Sequence, residues 1–263
     1  MGKTKIEWCD YTINPVKGKC PVACPYCYAR RLYDRFKWNP TIRLDLDAFQ
    51  PLRSVRQPSR VFVGSTIELF GDWIEHSWMM DILSLCESYK RAGHSFLFLT
   101  KYPENLIRWS PFPDNCWVGV TITSNNHKDS YIGDLAYVRV PVKFISFEPL
   151  LEWADLAEQR KILPDRLKRW GINWLIIGQQ TPVSAKTQPK IKWVREIVKA
   201  ADQAGIPVFL KDNLRPILPE EKPFYTFPWG NDPEAGITEL RQEMPKVVAN
   251  CPIIGIVSNK EDI

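Results

Sequence analysis

Residues 61–100 open on Val61-Phe-Val-Gly-Ser65, carry Ile74, Trp78, Ile82, Leu85 and Tyr89 at helical spacing, reach Gly93, and close on Ser95-Phe-Leu-Phe-Leu-Thr100. The two short apolar runs predict strands. The 3.6-period stripe between them predicts an amphipathic helix, and the glycine supplies its stop. Strand, helix and strand in that order predict a parallel pair joined by a crossover. The rhythm continues outward with runs at Trp117–Ile122, Val142–Phe147, Trp174–Gly178 and Pro207–Lys211, and with a second stripe at Ile191, Val194, Ile197, Val198 and Ala201 that ends at Gly205. Several runs are apolar on both faces, as expected of strands packed between a barrel interior and outer helices. Upstream, a strand at Thr12–Val16 and a helix over Tyr26–Phe36 raise the count to seven strands.

The expected fold is therefore α/β, a partial (β/α) TIM-like barrel of six to seven parallel strands with an irregular C-terminal extension. No fixed-period repeat, low-complexity tract or Gly/Ser linker divides the chain, so residues 1–211 are expected to form the barrel and 212–263 a wrap on the same domain. Beyond Asp212, the prolines at 216, 219, 223, 228 and 233 interrupt regular structure, with one further strand expected at Ile253–Val257.

Composition agrees with this picture. At 263 residues, 44% hydrophobic and 25% charged, the chain has enough apolar side chains for a sizeable core and is not a disordered or collagen-like polymer. No apolar run approaches the ~18 residues of a membrane span, and the basic N-terminus lacks an apolar segment behind it, so a cytoplasmic protein with no membrane partner is expected. The net charge of +5 is unevenly placed: residues 1–60 hold 12 Lys and Arg against 5 Asp and Glu, and the rest hold 23 against 25. Such an excess can attract phosphates, including those of nucleic acid, although a solvated basic face is its commoner meaning. Trp8, Tyr28, Tyr33 and Trp38 lie in the basic stretch and are candidate base-stacking residues, whereas Trp78, Trp174 and Trp193 sit on core patterns. The signatures of phosphate-binding loops, dinucleotide folds, HExxH zinc hydrolases and serine hydrolases are absent from the sequence.

The seven cysteines are an odd number, and three of them fall in eight residues: Cys20-Pro-Val-Ala-Cys24-Pro-Tyr-Cys27. That crowding argues for metal ligation in a reducing compartment rather than a disulfide framework. Three thiolates on one loop can each bind one iron of a [4Fe–4S] cube, leaving the fourth iron open to a chelating amino and carboxylate pair. The alternative is a zinc-stabilised, non-enzymatic nucleic-acid-binding protein, with Cys9, His76, His94 or His127 as fourth ligand. Cys86, Cys116 and Cys251 read as inert thiols. A hydrogen-donating role for Cys9 is conceivable.

The C-x3-C-x-aromatic-C run, with Tyr26 as the aromatic, resembles the cluster loop of the radical S-adenosylmethionine (radical SAM) superfamily. Lys5-Ile-Glu-Trp-Cys-Asp-Tyr-Thr-Ile-Asn-Pro15, Phe98-Leu-Thr-Lys-Tyr-Pro-Glu104, Val118-Gly-Val-Thr121 and Phe144-Ile-Ser-Phe-Glu-Pro-Leu150 resemble an uncharacterised, phage-associated branch, itself similar to spore photoproduct lyase, a DNA-repair member. The chain departs from that branch at Gly178-Gln-Gln-Thr-Pro182 and Lys211-Asp-Asn-Leu214. The resemblance implies an iron–sulfur enzyme in which Cys20, Cys24 and Cys27 hold a [4Fe–4S] cluster. Reductive cleavage of S-adenosylmethionine then forms a 5′-deoxyadenosyl radical that acts on an unidentified substrate, nucleic acid or nucleoside among the candidates. It also implies a reducing partner such as flavodoxin or ferredoxin.

In a parallel barrel the chemistry collects at the C-terminal strand ends, where the loops converge. The polar residues there are Ser65, Thr66, Glu68, Thr100, Lys101, Thr121, Thr123, Ser146, Glu148, Gln179, Gln180, Lys211 and Asp212. On the resemblance, Tyr26 flanks the adenine, Lys101 pairs with the cofactor carboxylate, and Ser65, Thr66 and Thr121 bond its amino and ribose groups. Glu148 either orients ribose or substrate, or caps the helix that follows.

Overall fold

A computed structural model of the chain describes residues 2–124, 128–153, 157–226 and 239–246. Its centre is one eight-stranded sheet. The strands are β1 (Gly2–Lys3), β2 (Tyr11–Ile13), β5 (Arg60–Val63), β6 (Ser95–Thr100), β7 (Cys116–Thr121), β8 (Val142–Phe147), β9 (Trp174–Ile177) and β10 (Val208–Leu210), in that spatial order. Strands β2 and β5–β10 are all parallel, and only β1 runs antiparallel, on the edge of β2. The seven parallel strands form a curled half-barrel. Between β2 and β5 a small antiparallel pair, β3 (Val16–Lys17) and β4 (Arg43–Leu44), lies outside the main sheet. Helices α1 (Tyr28–Phe36), α2 (His76–Ser88), α3 (Lys128–Ala136), α4 (Ala157–Arg169) and α5 (Ile191–Ala204) occupy the connections.

The period-2 geometry of the strands sorts the core into two clusters. Phe62, Leu97, Trp117, Val142, Phe144, Trp174, Ile176 and Phe209 point into the hollow, where Trp8 and Cys9 join them. The alternate residues, Phe96, Phe98, Val118, Val120, Ile145, Phe147, Leu175 and Ile177 among them, face the helices and form the larger cluster. This is why β7 and β8 are buried at every position. Gly119 sits opposite Phe144 in the β7–β8 register, and a Cβ there would lie 2.5 Å from the Phe144 ring. The absent side chain admits the aromatic floor of the hollow.

The expected elements recur with local differences. The first strand stops at Ile13 rather than Val16, because the chain turns there to form β3. The next ends at Val63: Gly64 adopts φ +80, so Ser65 and Thr66 belong to a loop. Cys27 caps α1 by accepting the Arg30 N–H on its sulfur, so the helix begins at Tyr28 rather than Tyr26. On α2, Met79, Ile82, Leu83 and Cys86 are the buried stripe, while Trp78, Leu85 and Tyr89 pack at its margin. Ile191 is exposed at the start of α5, and Gly205 closes that helix in the left-handed conformation.

The half-barrel is sealed at its open seam and its base. The Glu7 carboxylate, just before β2, accepts the Asp212 N–H just after β10 at 2.7 Å, and Trp8 fills the hollow beneath. The C-terminal segment pairs β11 (Tyr225–Thr226) with β12 (Glu239–Leu240). It then runs along β10, exchanging backbone bonds between Leu210 and Arg241 and between Glu243 and Val208. The strand expected at Ile253–Val257, together with His127, Cys251, Pro228 and Pro233, lies outside the described residues.

Candidate cluster loop and strand-end site

The cysteine loop leaves the top of β2 and is tied down at both ends. Asn14 Oδ1, directly after β2, accepts the Ser65 hydroxyl at 3.2 Å and the Thr66 N–H at 3.1 Å. Gly18, at φ +125, passes so close to the β4 approach that a Cβ would stand 2.7 Å from Ile42 Cα. Its N–H donates to the Tyr33 hydroxyl oxygen at 2.8 Å, which fastens the loop to α1. Cys20, Cys24 and Cys27 are all half-buried. Cys20 Sγ accepts the Glu68 N–H at 3.5 Å, and Cys27 Sγ accepts the Arg30 N–H at 3.4 Å. The Cys27 N–H closes a turn onto the Cys24 carbonyl. The N-terminus of α1 adds its positive end to this loop.

Three thiols on one loop, two accepting backbone N–H groups beside a helix N-terminus, are a donor set suited to anionic sulfur ligands of an iron–sulfur cube. Each ligand of such a cube bonds a different iron. Zinc instead draws its sulfurs to within about 3.8 Å of one another, given Zn–S bonds of about 2.3 Å. Among the described residues no group of three or more Cys, His, Asp or Glu side chains, the cysteine trio included, is drawn together closely enough to hold a metal ion. Of the candidate fourth ligands, the three among the described residues are placed elsewhere: Cys9 in the hollow, His94 buried just before β6, and His76 against Trp109 at the start of α2. Burial, with the nearby Asp10 charge, pushes the Cys9 thiol up to about 12. Burial, with the adjacent Cys24, also raises the Tyr26 phenol.

Glu68, one of the strand-end polar residues given no particular role by the sequence, is the hub of this end of the barrel. Its carboxylate is buried and accepts the Phe70 N–H, the Thr100 hydroxyl at 2.6 Å and the Lys101 N–H at 2.9 Å, while its own N–H reaches Cys20. One side chain thus links the cysteine loop to the end of β6. Lys101 follows directly on the last residue of β6, and its backbone N–H is held by this same Glu68 carboxylate. Thr121 and Ser146 are register partners on β7 and β8, on the same parity as Phe144, and both hydroxyls are buried without a partner among the described residues. Gln179 Oε1 is likewise unpartnered, although its backbone and amide nitrogens bind Asn213. Buried polar groups ordinarily find partners, so these orphan atoms fit a site that a polar ligand completes.

Across the hollow, Glu148 is bound to Lys211. Burial works against the Lys211 ammonium, but the charge and hydrogen bond of Glu148, with the charge of Glu7, outweigh it and hold the ammonium above its ordinary value. Gly178 makes room for the pair: a Cβ there would lie 2.9 Å from Lys211 Cδ and 3.2 Å from Glu148 Cδ. Burial raises the Glu7 carboxyl, the Asp212 N–H and the Lys211 charge opposing it. From α1, Arg31 reaches over this side of the mouth and donates to the Thr181 carbonyl at 3.1 Å.

The structure therefore brings Cys20, Cys24, Cys27, Ser65, Thr66, Lys101, Thr121 and Glu148 to one end of the half-barrel. Two nucleic-acid candidates are corrected. Trp8 is buried at 2% exposure in the hollow, and Tyr33 is buried under α1, so neither ring is open to a base. Surface hollows of about 700 Å³ at Asp10, Arg60 and Ser95 and about 520 Å³ at Asn173, Pro207 and Arg241 lie at the opposite end, by the strand starts. Conserving stability is the usual task of that face.

The fold and this strand-end arrangement define an α/β half-barrel with a tri-cysteine loop at its mouth. The chain belongs to the DUF5131 family, described as a protein of unknown function, whose pattern matches residues 3–215. Among solved structures it is similar to a spore photoproduct lyase mutant with dinucleoside spore photoproduct, at TM-score 0.51 and 14% identity, covering 92% of this chain and 70% of that one. A second mutant of that lyase, with bound AdoMet and the dinucleoside, gives TM-score 0.49 and 13% identity over the same shares. At 14% identity the likeness at TM-score 0.51 speaks to the fold alone. No curated protein matches the sequence. No helix among the described residues is long and apolar enough to cross a membrane.

Proposed function

We propose that this protein is a radical SAM enzyme. The observation that carries the reading is the position of the cysteine trio: on a loop that follows the first parallel strand, at the mouth of a half-barrel where Lys101 succeeds β6 and where the buried Thr121 and Ser146 hydroxyls have no partner among the described residues. In this reading Cys20, Cys24 and Cys27 hold a [4Fe–4S] cluster with one iron free. When bound, cluster and S-adenosylmethionine together supply one-electron cleavage of a carbon–sulfur bond, with the electron coming from a donor such as flavodoxin or ferredoxin.

The remaining work belongs to the chain. The Glu68 and Arg30 N–H groups stabilise negative charge on the Cys20 and Cys27 sulfurs. Lys101 pairs with the carboxylate of the cofactor, and the Glu68 carboxylate positions Lys101 through its backbone N–H. Tyr26 lies along the adenine, while Ser65, Thr66 and Thr121 serve the amino and ribose groups. Glu148, held by Lys211, faces the cofactor ribose or the substrate. The aromatic floor beneath excludes water from the hollow. In this reading residues 1–211 carry the site, and the described residues beyond them, 212–226 and 239–246, pack on the same domain.

The test is anaerobic reconstitution with iron and sulfide, followed by dithionite and S-adenosylmethionine. Release of 5′-deoxyadenosine and methionine is expected, with iron lost in Cys20→Ala, Cys24→Ala and Cys27→Ala. Lys101→Met should weaken cofactor retention by roughly tenfold or more, the scale of a charge-assisted hydrogen bond. A preparation with a full cluster that forms neither product refutes the proposal.

A further inference from the structure

We propose that the C-terminal end of α1 is a stacking platform for single-stranded nucleic acid, placed to feed the mouth of the half-barrel. Phe36 and Trp38 are 53% and 47% exposed, and their rings stack at 5.6 Å between centroids with 21° between planes. Two large aromatic rings held half in water at the end of a nine-residue helix do not serve the core, which α1 reaches through Ala29 and Tyr33.

The platform is built rigidly. Lys37 turns into the left-handed conformation at φ 52, and both the Lys37 and Trp38 N–H groups donate to the Tyr33 carbonyl. That turn swings Trp38 back over Phe36. Trp38 also meets the buried Tyr33 ring edge-on at 5.3 Å, and Tyr33 is itself anchored by the Gly18 N–H. A pre-set aromatic surface loses little freedom when a base stacks on it.

The charge around it fits a polyanion. Residues 28–43 hold Arg30, Arg31, Arg35, Lys37 and Arg43 against one carboxylate, Asp34, which is occupied by Lys19 at 2.5 Å. The Arg35 guanidinium stands 5.2 Å from the centre of the Phe36 ring. Arg31 and Arg35 are one helical turn apart and share a face, and Arg31 already reaches the Thr181 carbonyl beside the mouth. The basic stripe therefore runs along the side of α1 that faces the strand ends. At about 1.5 Å per residue, the nine residues of α1 set the aromatic pair about 14 Å from Cys27. Bases that stack on exposed rings must be unpaired, and stacking reads no base edge, so the expected ligand is single-stranded and bound with little sequence preference. An acidic protein would engage the cations and leave the rings unused.

The inference deepens the reading above by naming the polymer brought to the same mouth, yet its test needs neither cluster nor cofactor. Fluorescence anisotropy of a labelled short oligo(dT), titrated with the full-length apo chain at low salt, should show binding that weakens as salt rises. Polyglutamate should not displace the oligonucleotide, and a duplex of equal length should bind more weakly. Phe36→Ala and Trp38→Ala should each reduce affinity by roughly 5-fold to 150-fold, the range of one lost base stack. Among the described residues the Phe36 ring meets Trp38 and Arg35, so Phe36→Ala leaves the Tyr33 anchor in place. No binding at low salt, unchanged affinity in Phe36→Ala, or full displacement by polyglutamate overturns the platform. A chain that binds oligo(dT) but cleaves no S-adenosylmethionine would retain the platform and lose only the radical chemistry.

Discussion

Lys211→Met removes the cation that stands between the carboxylates of Glu148 and Glu7 while keeping a side chain of similar length. The Lys211 and Glu148 side chains are only 11% and 23% exposed. Removing one partner of a buried pair strands the other, at a cost of about 3–5 kcal/mol. Glu148 keeps some contact with water and Glu7 keeps its bond to the Asp212 N–H, which places this case near the lower end, about 3 kcal/mol. For a chain of this size that is roughly 6–12 °C in Tm. Glu148→Gln in the same background removes the stranded charge, so the double variant should recover half of the loss or more.

The pH dependence has a definite sign. Burial already holds the Glu7 carboxyl above its ordinary value, and the Lys211 charge is one of the groups opposing that rise, so without Lys211 it rises further. A carboxyl raised on folding contributes stability that is present at low pH and lost as pH rises through the raised value. The deficit of Lys211→Met should therefore be larger at about pH 8 than at about pH 5. Urea unfolding followed by circular dichroism, on the two single variants and the double at both pH values, measures all of this. A Lys211→Met chain within about 0.5 kcal/mol of the parent at about pH 8, or strict additivity in the double, would show that the pair carries no coupling energy.

Two further substitutions probe the walls of the hollow. Gly119→Ala places a Cβ 2.5 Å from the Phe144 ring, which is confined by Trp8 at 6.3 Å and Trp174 at 5.6 Å and cannot swing aside; a loss of about 1–3 kcal/mol is expected, and an unchanged thermal midpoint would mean that the ring has room to move. His94 is 1% exposed, and burial holds its imidazole below the usual value, so the unfolded chain takes up a proton that the folded chain refuses. The stability this provides is complete above about pH 6.5 and falls as pH drops toward the folded value. His94→Gln should flatten the decline in melting temperature between about pH 7 and pH 5.5, and parallel profiles would assign that decline to another group.

The amino-acid sequence by itself determined the repeating strand–helix unit, the parallel order of the strands, the cysteine trio and the end of the barrel to which polar residues gather. Each of these rests on local information: period-2 and period-3.6 patterns, glycine stops, and spacings within a single loop. What only the tertiary structure decided were the partnerships between residues distant along the chain. Asn14 hooks Ser65 and Thr66, Glu68 joins Cys20 to Lys101, and Glu148 finds Lys211 across the gap left by Gly178. Strand-end position singled out Glu68 and Lys211 as polar groups, but no pattern in the chain could say which way each would turn. Trp8 marks the same boundary: in the sequence it is an aromatic residue in a basic stretch, and in the fold it plugs a hollow walled by β5, β8 and β9. Pairings of this kind follow from the curl of the sheet, which brings strand ends together regardless of their separation in sequence.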